Sequence, residues 1–252
     1  MTDTPLKLNV APIVEAVLDI DCDMPLTLDL AALETSVRDA FRGSYPTFRI
    51  QQLQEHQFEV QAEGTPKMTT RQGIQAFQLL QEDEKQLVQI RAQGFSFNRL
   101  APYSSLDDYL PAIEHAWRMF VELVAPVQIR VVRLRYINRI LLPTTDGDLE
   151  LDEYLKLGPR LPNEAKLALV GFLNQHSAVE VGTSNQVNIV LAAQAPEHGM
   201  LPIIFDVTAF RPGSIETNDW AALQSTIQSL RHLKNMVFRD SLTAKCLNLF
   251  QH

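Results

Sequence analysis

Two stretches of the chain, Ile13 to Cys22 and Gln128 to Leu142, alternate side-chain character with a period of two, and that period is what most restricts the fold. In the first, Val14, Ala16, Leu18, Ile20 and Cys22 lie on one side, while Ile13, Glu15, Val17, Asp19 and Asp21 lie on the other. In the second, Val132, Leu134, Tyr136, Asn138 and Ile140 share a side opposite Arg133, Arg135, Ile137 and Arg139. A helix would scatter such residues around its circumference, whereas a strand sorts them onto two faces. Strands with one apolar and one polar face predict antiparallel sheet, covered on one side and solvated on the other.

The segments between supply the covers. Leu30, Leu33, Val37 and Phe41 recur at helical spacing after Asp29, a suitable N-cap, and before Gly43. Ser105 opens a second amphipathic helix, with Asp108 in a capping-box position and Leu110, Ile113, Trp117, Phe120 and Val124 on one face, closed by Ala125-Pro126. A long final helix is predicted from about Asn218, carrying Trp220, Leu223, Ile227, Leu230 and Val237, with a short turn after Ser241. Helices are also expected over Leu151 to Leu157 and Asn163 to His176. Thr47 to Ala62 and Ile74 to Leu100 read as three strands with a hairpin turn at Glu82-Asp83-Glu84-Lys85. Val187 to Gln194 and Pro202 to Phe210 are extended segments around a turn at Pro196 to Gly199.

Residues 1–126 and 127–252 thus each read strand, helix, extended hairpin, long helix. The expected fold is α+β and pseudo-duplicated: a mainly antiparallel sheet with long amphipathic helices packed on one face, its two halves packed as one unit. If the opening strands of the halves pair, the acids of the first face the arginines of the second.

Charge narrows the function. The net charge of −8 arises wholly in residues 1–126, which hold 10 Lys/Arg against 18 Asp/Glu; residues 127–252 hold 12 of each. An acidic chain repels phosphate backbones, so bulk DNA binding is not expected. No apolar run is long enough for a membrane helix and Met1 to Asn9 lacks signal-peptide character, so a cytoplasmic protein without membrane contact is expected. Cys22 and Cys246 belong to no metal or redox motif and read as core residues. Six histidines show no metal-ligand spacing, and no phosphate-binding glycine loop, dinucleotide fingerprint or nucleophile elbow is present, so neither metal nor cofactor is implied. Asp19, Asp21 and Asp23 would suit a hard cation only with a wrapping loop that the sequence does not provide; a solvated face or ion-pair partners are expected instead.

The densest polar feature is the arginine stripe of Arg130, Arg133, Arg135 and Arg139. Guanidinium forks suit phosphate or carboxylate ligands, and equally suit cross-strand acids. Phe97-Asn98-Arg99-Leu100 and Ile137-Asn138-Arg139-Ile140 repeat an Asn-Arg pair near the end of an extended run. Together with Tyr103, Tyr136 and Arg211 they define a candidate anion-binding set: Asn98, Arg99, Tyr103, Arg133, Arg135, Asn138, Arg139 and Arg211. Arginine would fix an anion, asparagine offers both donor and acceptor, and tyrosine offers a stacking face, as in nucleotide and single-stranded nucleic-acid sites. The same residue types also hold strand ends and loops together.

Pro12-Ile13-Val14-Glu15-Ala16-Val17-Leu18-Asp19-Ile20, Gly94 to Tyr103, Leu134-Arg135-Tyr136-Ile137-Asn138-Arg139-Ile140 and Phe238 to Thr243 resemble a sporadically distributed prokaryotic family of roughly 250-residue proteins, across nearly the whole chain. The resemblance brings no activity or catalytic residue with it; the family's patchy distribution implies a defence or mobile-element setting. Two functions are therefore expected: a binding or assembly protein that meets a protein partner or itself, or a protein that binds a small anion, nucleotide or RNA phosphate through the arginine strand and processes it.

Overall fold

The computed structural model describes residues 8–59, 67–144, 150–162, 166–167 and 169–251. The first alternating segment is strand β1 (Ile13–Asp23) and the second is β6 (Gln128–Pro143), and they are hydrogen-bonded neighbours in one sheet. Between them the chain forms helix α1 (Leu30–Phe41), strands β2 (Thr47–Glu59), β3 (Lys67–Leu80), β4 (Gln86–Arg91) and β5 (Gly94–Leu100), and helix α2 (Leu106–Val124). After β6 come a single 3-10 turn (Leu151–Glu153), strands β7 (Leu173–Val179), β8 (Gln186–Ala193) and β9 (Met200–Ile215), and helices α3 (Trp220–Ser241) and α4 (Ala244–Asn248). The nine strands make one sheet in the order β2-β3-β4-β5-β1-β6-β9-β8-β7, every neighbouring pair antiparallel.

Local chemistry explains the helix starts. The side chain of Asp29 accepts from Ala31 N, that of Ser105 from Asp108 N, and that of Asp219 from Ala222 N, so each helix begins where a side-chain oxygen satisfies an otherwise unpaired amide. Ala125 takes a left-handed conformation and donates to Val121 O, which stops α2 before Pro126.

The core follows the period-two pattern. Ala16, Leu18 and Ile20 of β1 sit opposite Tyr136, Leu134 and Val132 of β6, and these six join one buried cluster with Phe95 and Phe97 of β5 and Phe205 and Val207 of β9. Trp117 and Phe120 of α2 and Leu223, Ile227 and Leu230 of α3 belong to the same cluster. Trp117 Nε1 donates to Thr217 O at 3.1 Å, tying α2 to the segment that leads into α3.

Four local expectations change. The region 47–100 holds four strands, because a turn at Ala92-Gln93 divides the stretch after the expected hairpin into β4 and β5, and β3 starts well before Ile74; residues 60–62 of the expected first strand lie outside the described residues. The segment Leu151 to Leu157 forms only the 3-10 turn before Gly158-Pro159 interrupts it. Of the expected helix Asn163 to His176, residues 163–165 and 168 lie outside the described residues, and Leu173 to His176 are strand, because backbone pairing with β8 prevails over a weak helical spacing. The helix expected from about Asn218 starts at Trp220. Among the described residues, no helix is long and apolar enough to cross a membrane.

Candidate functional site

The face of β1 and β6 that points away from the core carries the arginine stripe, and it arrives with its counter-charges. Asp19 lies opposite Arg133, and Arg133 Nη1 donates to Asp21. Arg91 of β4 reaches Asp21 at 2.9 Å and Asp19 at 3.7 Å, and Ser96 Oγ donates to Asp19 at 2.5 Å. Arg130 lies 3.4 Å from Asp23. Of the acids expected to meet the β6 arginines, Asp21 does so through Arg133, whereas Asp19 is reached by Arg91 of β4 and Glu15 is bonded by Asn98.

The other two arginines look to strands that the sequence did not connect with them. Arg135 clasps Asp206 of β9 through Nε and Nη2, at 2.9 and 2.5 Å to the same carboxylate oxygen; that hydrogen bonding raises the guanidinium's already high pKa. Arg139 Nη2 donates to Glu197 Oε1 at 2.6 Å and its Nε to Gln194 Oε1 at 3.2 Å, both in the β8–β9 connection. Asn98 closes the row, donating to Glu15 at 2.8 Å and accepting from Gln89 at 3.2 Å. A stripe so matched is a cross-strand ion-pair lattice, and an incoming anion would have to displace a carboxylate at each arginine.

The remaining members of the candidate set lie on the opposite, core-facing side. Arg99 faces the core side because it pairs with Ala16, one residue out of phase with Asn98. Asn138 is buried and donates to the carbonyls of Tyr136 and Phe205 at 3.3 and 2.9 Å, holding backbone where β6 meets β9. Arg211 donates to Asn185 Oδ1 at 2.7 Å and to Ser229 Oγ at 2.9 Å, locking β9 to the β8 turn and to α3. The eight residues therefore do not line one cleft: Asn98, Arg133, Arg135 and Arg139 share the ion-pair face, while Arg99, Tyr103, Asn138 and Arg211 lie on the other. The reason is the two-residue repeat, which sends the Asn and Arg of each Asn-Arg pair to opposite sides of the sheet.

On the core side, Arg99 and Tyr103 join a row that the sequence had only hinted at. The Arg99 guanidinium lies 5.4 Å from the Tyr109 ring centroid, and Tyr109 packs on Tyr103 at 5.4 Å. Tyr103 meets Tyr136 edge-on at 5.4 Å with their hydroxyls 2.7 Å apart, and Lys234 Nζ caps the far side of the Tyr136 ring at 3.7 Å. Two cations thus bracket three tyrosines, an arrangement favoured by the negative faces of the rings. Lys234 was missed because it stands in a helix among polar residues, and its burial depends on how α3 lies against β6. Burial, helped by the nearby Arg231 charge, pulls its pKa down to about 7. Burial pushes the Tyr136 phenol up to about 12. Arg99 Nε is buried and, among the described residues, has no hydrogen-bond partner. The gap beside this row, between Arg99, Tyr103, Tyr109 and Tyr136, measures about 10 Å³, scarcely the room of one water.

Elsewhere, a groove of about 670 Å³ between Met24, Leu28, Asp29, Ile74 and Ala92 contains none of the eight candidate anion-binding residues. Burial raises the thiols of Cys22 and Cys246 to about 12, which leaves them protonated and unreactive. Comparison with family models, with curated proteins and with solved structures finds no match for this chain.

Proposed function

We propose that this is a binding or assembly protein that acts through protein–protein contacts, in the cytoplasm and in a defence or mobile-element setting of the kind the family resemblance implies. One observation carries it: the arginine stripe, the strongest candidate for a ligand site, spends its donors on the acids of its own sheet. What the surface offers instead is strand edge and exposed apolar side chains, which suit a polypeptide partner. The fold belongs to the same proposal. Residues 1–126 and 127–252 are two copies of one unit joined through β1 and β6, and the long helices α2 and α3 cover one face of the joint sheet. The order of strands outward from that centre, β1-β5-β4-β3 and β6-β9-β8-β7, runs in the same sense in both halves and supports it.

The test is hydrodynamic and biochemical. Purified protein should sediment as a defined oligomer, or retain one identified partner in stoichiometric amount from host extract. A monodisperse monomer that retains nothing would sink the proposal.

A second proposal, binding of a nucleotide or RNA phosphate, keeps one specific support: in the tyrosine row Arg99 Nε is buried without a hydrogen-bond partner among the described residues and the Lys234 ammonium rests on the Tyr136 ring, while the nearest acid to Arg99, Asp83, stands 4.0 Å from its Nη1. Thermal stabilisation by pyrophosphate or short RNA that Arg99→Met removes would sustain it, and no stabilisation by either would dismiss it.

A further inference from the structure

The sheet has two ends, and they differ. At one end, β2 carries Arg49, paired with Glu84 at 2.5 Å, has Glu55 and Glu59 further along its sequence, and shifts register between Gln51 and Gln52. Charge and irregularity are the usual means by which a free edge is kept from pairing. At the other end, β7 reads Leu-Asn-Gln-His-Ser-Ala-Val, with no Asp, Glu, Lys, Arg, Pro or Gly, and it pairs with β8 over all seven residues without a register shift. Nothing in it discourages another strand.

The direction of its free groups follows from the ladder. Glu180 N donates to Asn185 O and Ala193 N donates to Phe172 O, which fixes the hydrogen-bonded pairs on either side of β7. Because such pairs alternate in an antiparallel ladder, Asn174, His176 and Ala178 turn their backbone groups toward β8. Leu173, Gln175, Ser177 and Val179 turn theirs outward. Among the described residues, no backbone bond beyond the β8 ladder involves these four. The side chains here are also unusually bare: six exposed large apolar residues, Leu167, Leu169, Val170, Leu173, Val179 and Val181, fall between residues 167 and 181, with Leu173 at 69% and Val179 at 63% exposure.

We infer that β7 is a self-pairing edge, on which a second copy of this chain adds its own β7 antiparallel about a two-fold axis at His176, joining two sheets into one. The inference rests on the assembly function proposed above and names its partner. The argument for a second copy is self-complementarity. Outward backbone groups occur only on odd-numbered residues, so the two strands must meet odd to odd. Of the registers that allow this, the one centred on His176 pairs all seven residues. It sets Leu173 against Val179 of the other copy at both ends, so the two most exposed apolar side chains of the strand cover each other. Gln175 then faces Ser177, and the four outward residues exchange backbone bonds with one another. No charge opposes another anywhere along it.

Sedimentation velocity of the full chain, over a concentration series, tests this with two double variants. The wild-type chain is expected to reach twice its 28.5 kDa mass. Gln175→Lys with Ser177→Lys puts two like-charged pairs across the axis and is expected to weaken dimerisation on the order of tenfold or more. Gln175→Lys with Ser177→Glu makes those same pairs opposite in charge and is expected to restore the dimer. Both variants alter only exposed edge side chains, so unchanged circular dichroism is expected. A wild-type dimer that the double lysine variant leaves intact overturns the inference and leaves the broader assembly function standing. Two variants that are equally monomeric overturn the His176-centred register. A monomeric wild-type chain overturns self-pairing and leaves the edge to a strand from another protein, which the partner-retention experiment above decides separately.

Discussion

Lys234 is the residue at which chemistry and packing are most at odds. Its ammonium is buried over the Tyr136 ring, near Arg231 and, among the described residues, without a close acid, since Asp107 is engaged by Arg231 at 2.8 Å. In the unfolded chain the amine keeps its proton to the ordinary lysine value of 10.5, whereas in the fold it releases it near pH 7. Between those values the unfolded state binds more protons, so the stability governed by this residue rises with pH across that window, and the full penalty is present below it. The ring contact offsets part of the cost. Lys234→Met, of similar length and volume, is therefore expected to stabilise the protein by about 1–3 kcal/mol below neutral pH. The gain should shrink as pH rises toward 10. Urea midpoints of both proteins at acidic and alkaline pH measure it; a gain independent of pH would mean that the amine is solvated in the fold.

The elements show what the sequence could express and what it could not. Alternation along β1 and β6 placed Arg133, Arg135 and Arg139 on one face and Tyr136 and Asn138 on the other, because a two-residue period is local information. The Asp21 to Arg133 contact was legible as well, since it follows once the two opening strands pair. The Arg135 to Asp206 clasp was not: 71 residues separate them, and nothing short of the β6–β9 register brings them together. The Asn-Arg pairs misled for a related reason, as adjacency in sequence reads as proximity although neighbouring strand residues face apart. Gly94 carries a constraint of this non-local kind. At φ +149°, a Cβ built on it would lie 2.0 Å from Ile20 O and 3.0 Å from Asp21 Cα, where β5 leaves its turn and passes β1. Gly94→Ala must push two central strands apart and is expected to cost about 2–4 kcal/mol. Chemical denaturation measures that loss, and a cost under about 0.5 kcal/mol, the range of an ordinary surface substitution, would show that β5 is free to move off β1.

At the scale of the whole molecule, a division of the chain between residues 126 and 127 would run through the middle of the sheet. β1 and β6 are its fifth and sixth strands, and the buried cluster crosses them without a break from Phe77 in β3 to Leu191 in β8. Phe250, near the C terminus, belongs to that cluster, and its carbonyl accepts from Val10 N at 3.1 Å, so the two ends of the chain are also joined. Cutting at residue 126 would expose the apolar face and one hydrogen-bonding edge of both central strands at once, the combination that drives aggregation. A chain so connected should unfold in a single transition. Tryptophan fluorescence, which reports Trp117 in α2 and Trp220 in α3, and far-ultraviolet circular dichroism, which reports the whole sheet, are expected to give coincident urea curves. Residues 1–126 expressed alone are expected to be insoluble or to lack a cooperative transition. If that half instead unfolded cooperatively as a monomer, the β1–β6 seam would be a contact between two independent domains, and the continuity of the core would contribute far less to stability than its burial implies.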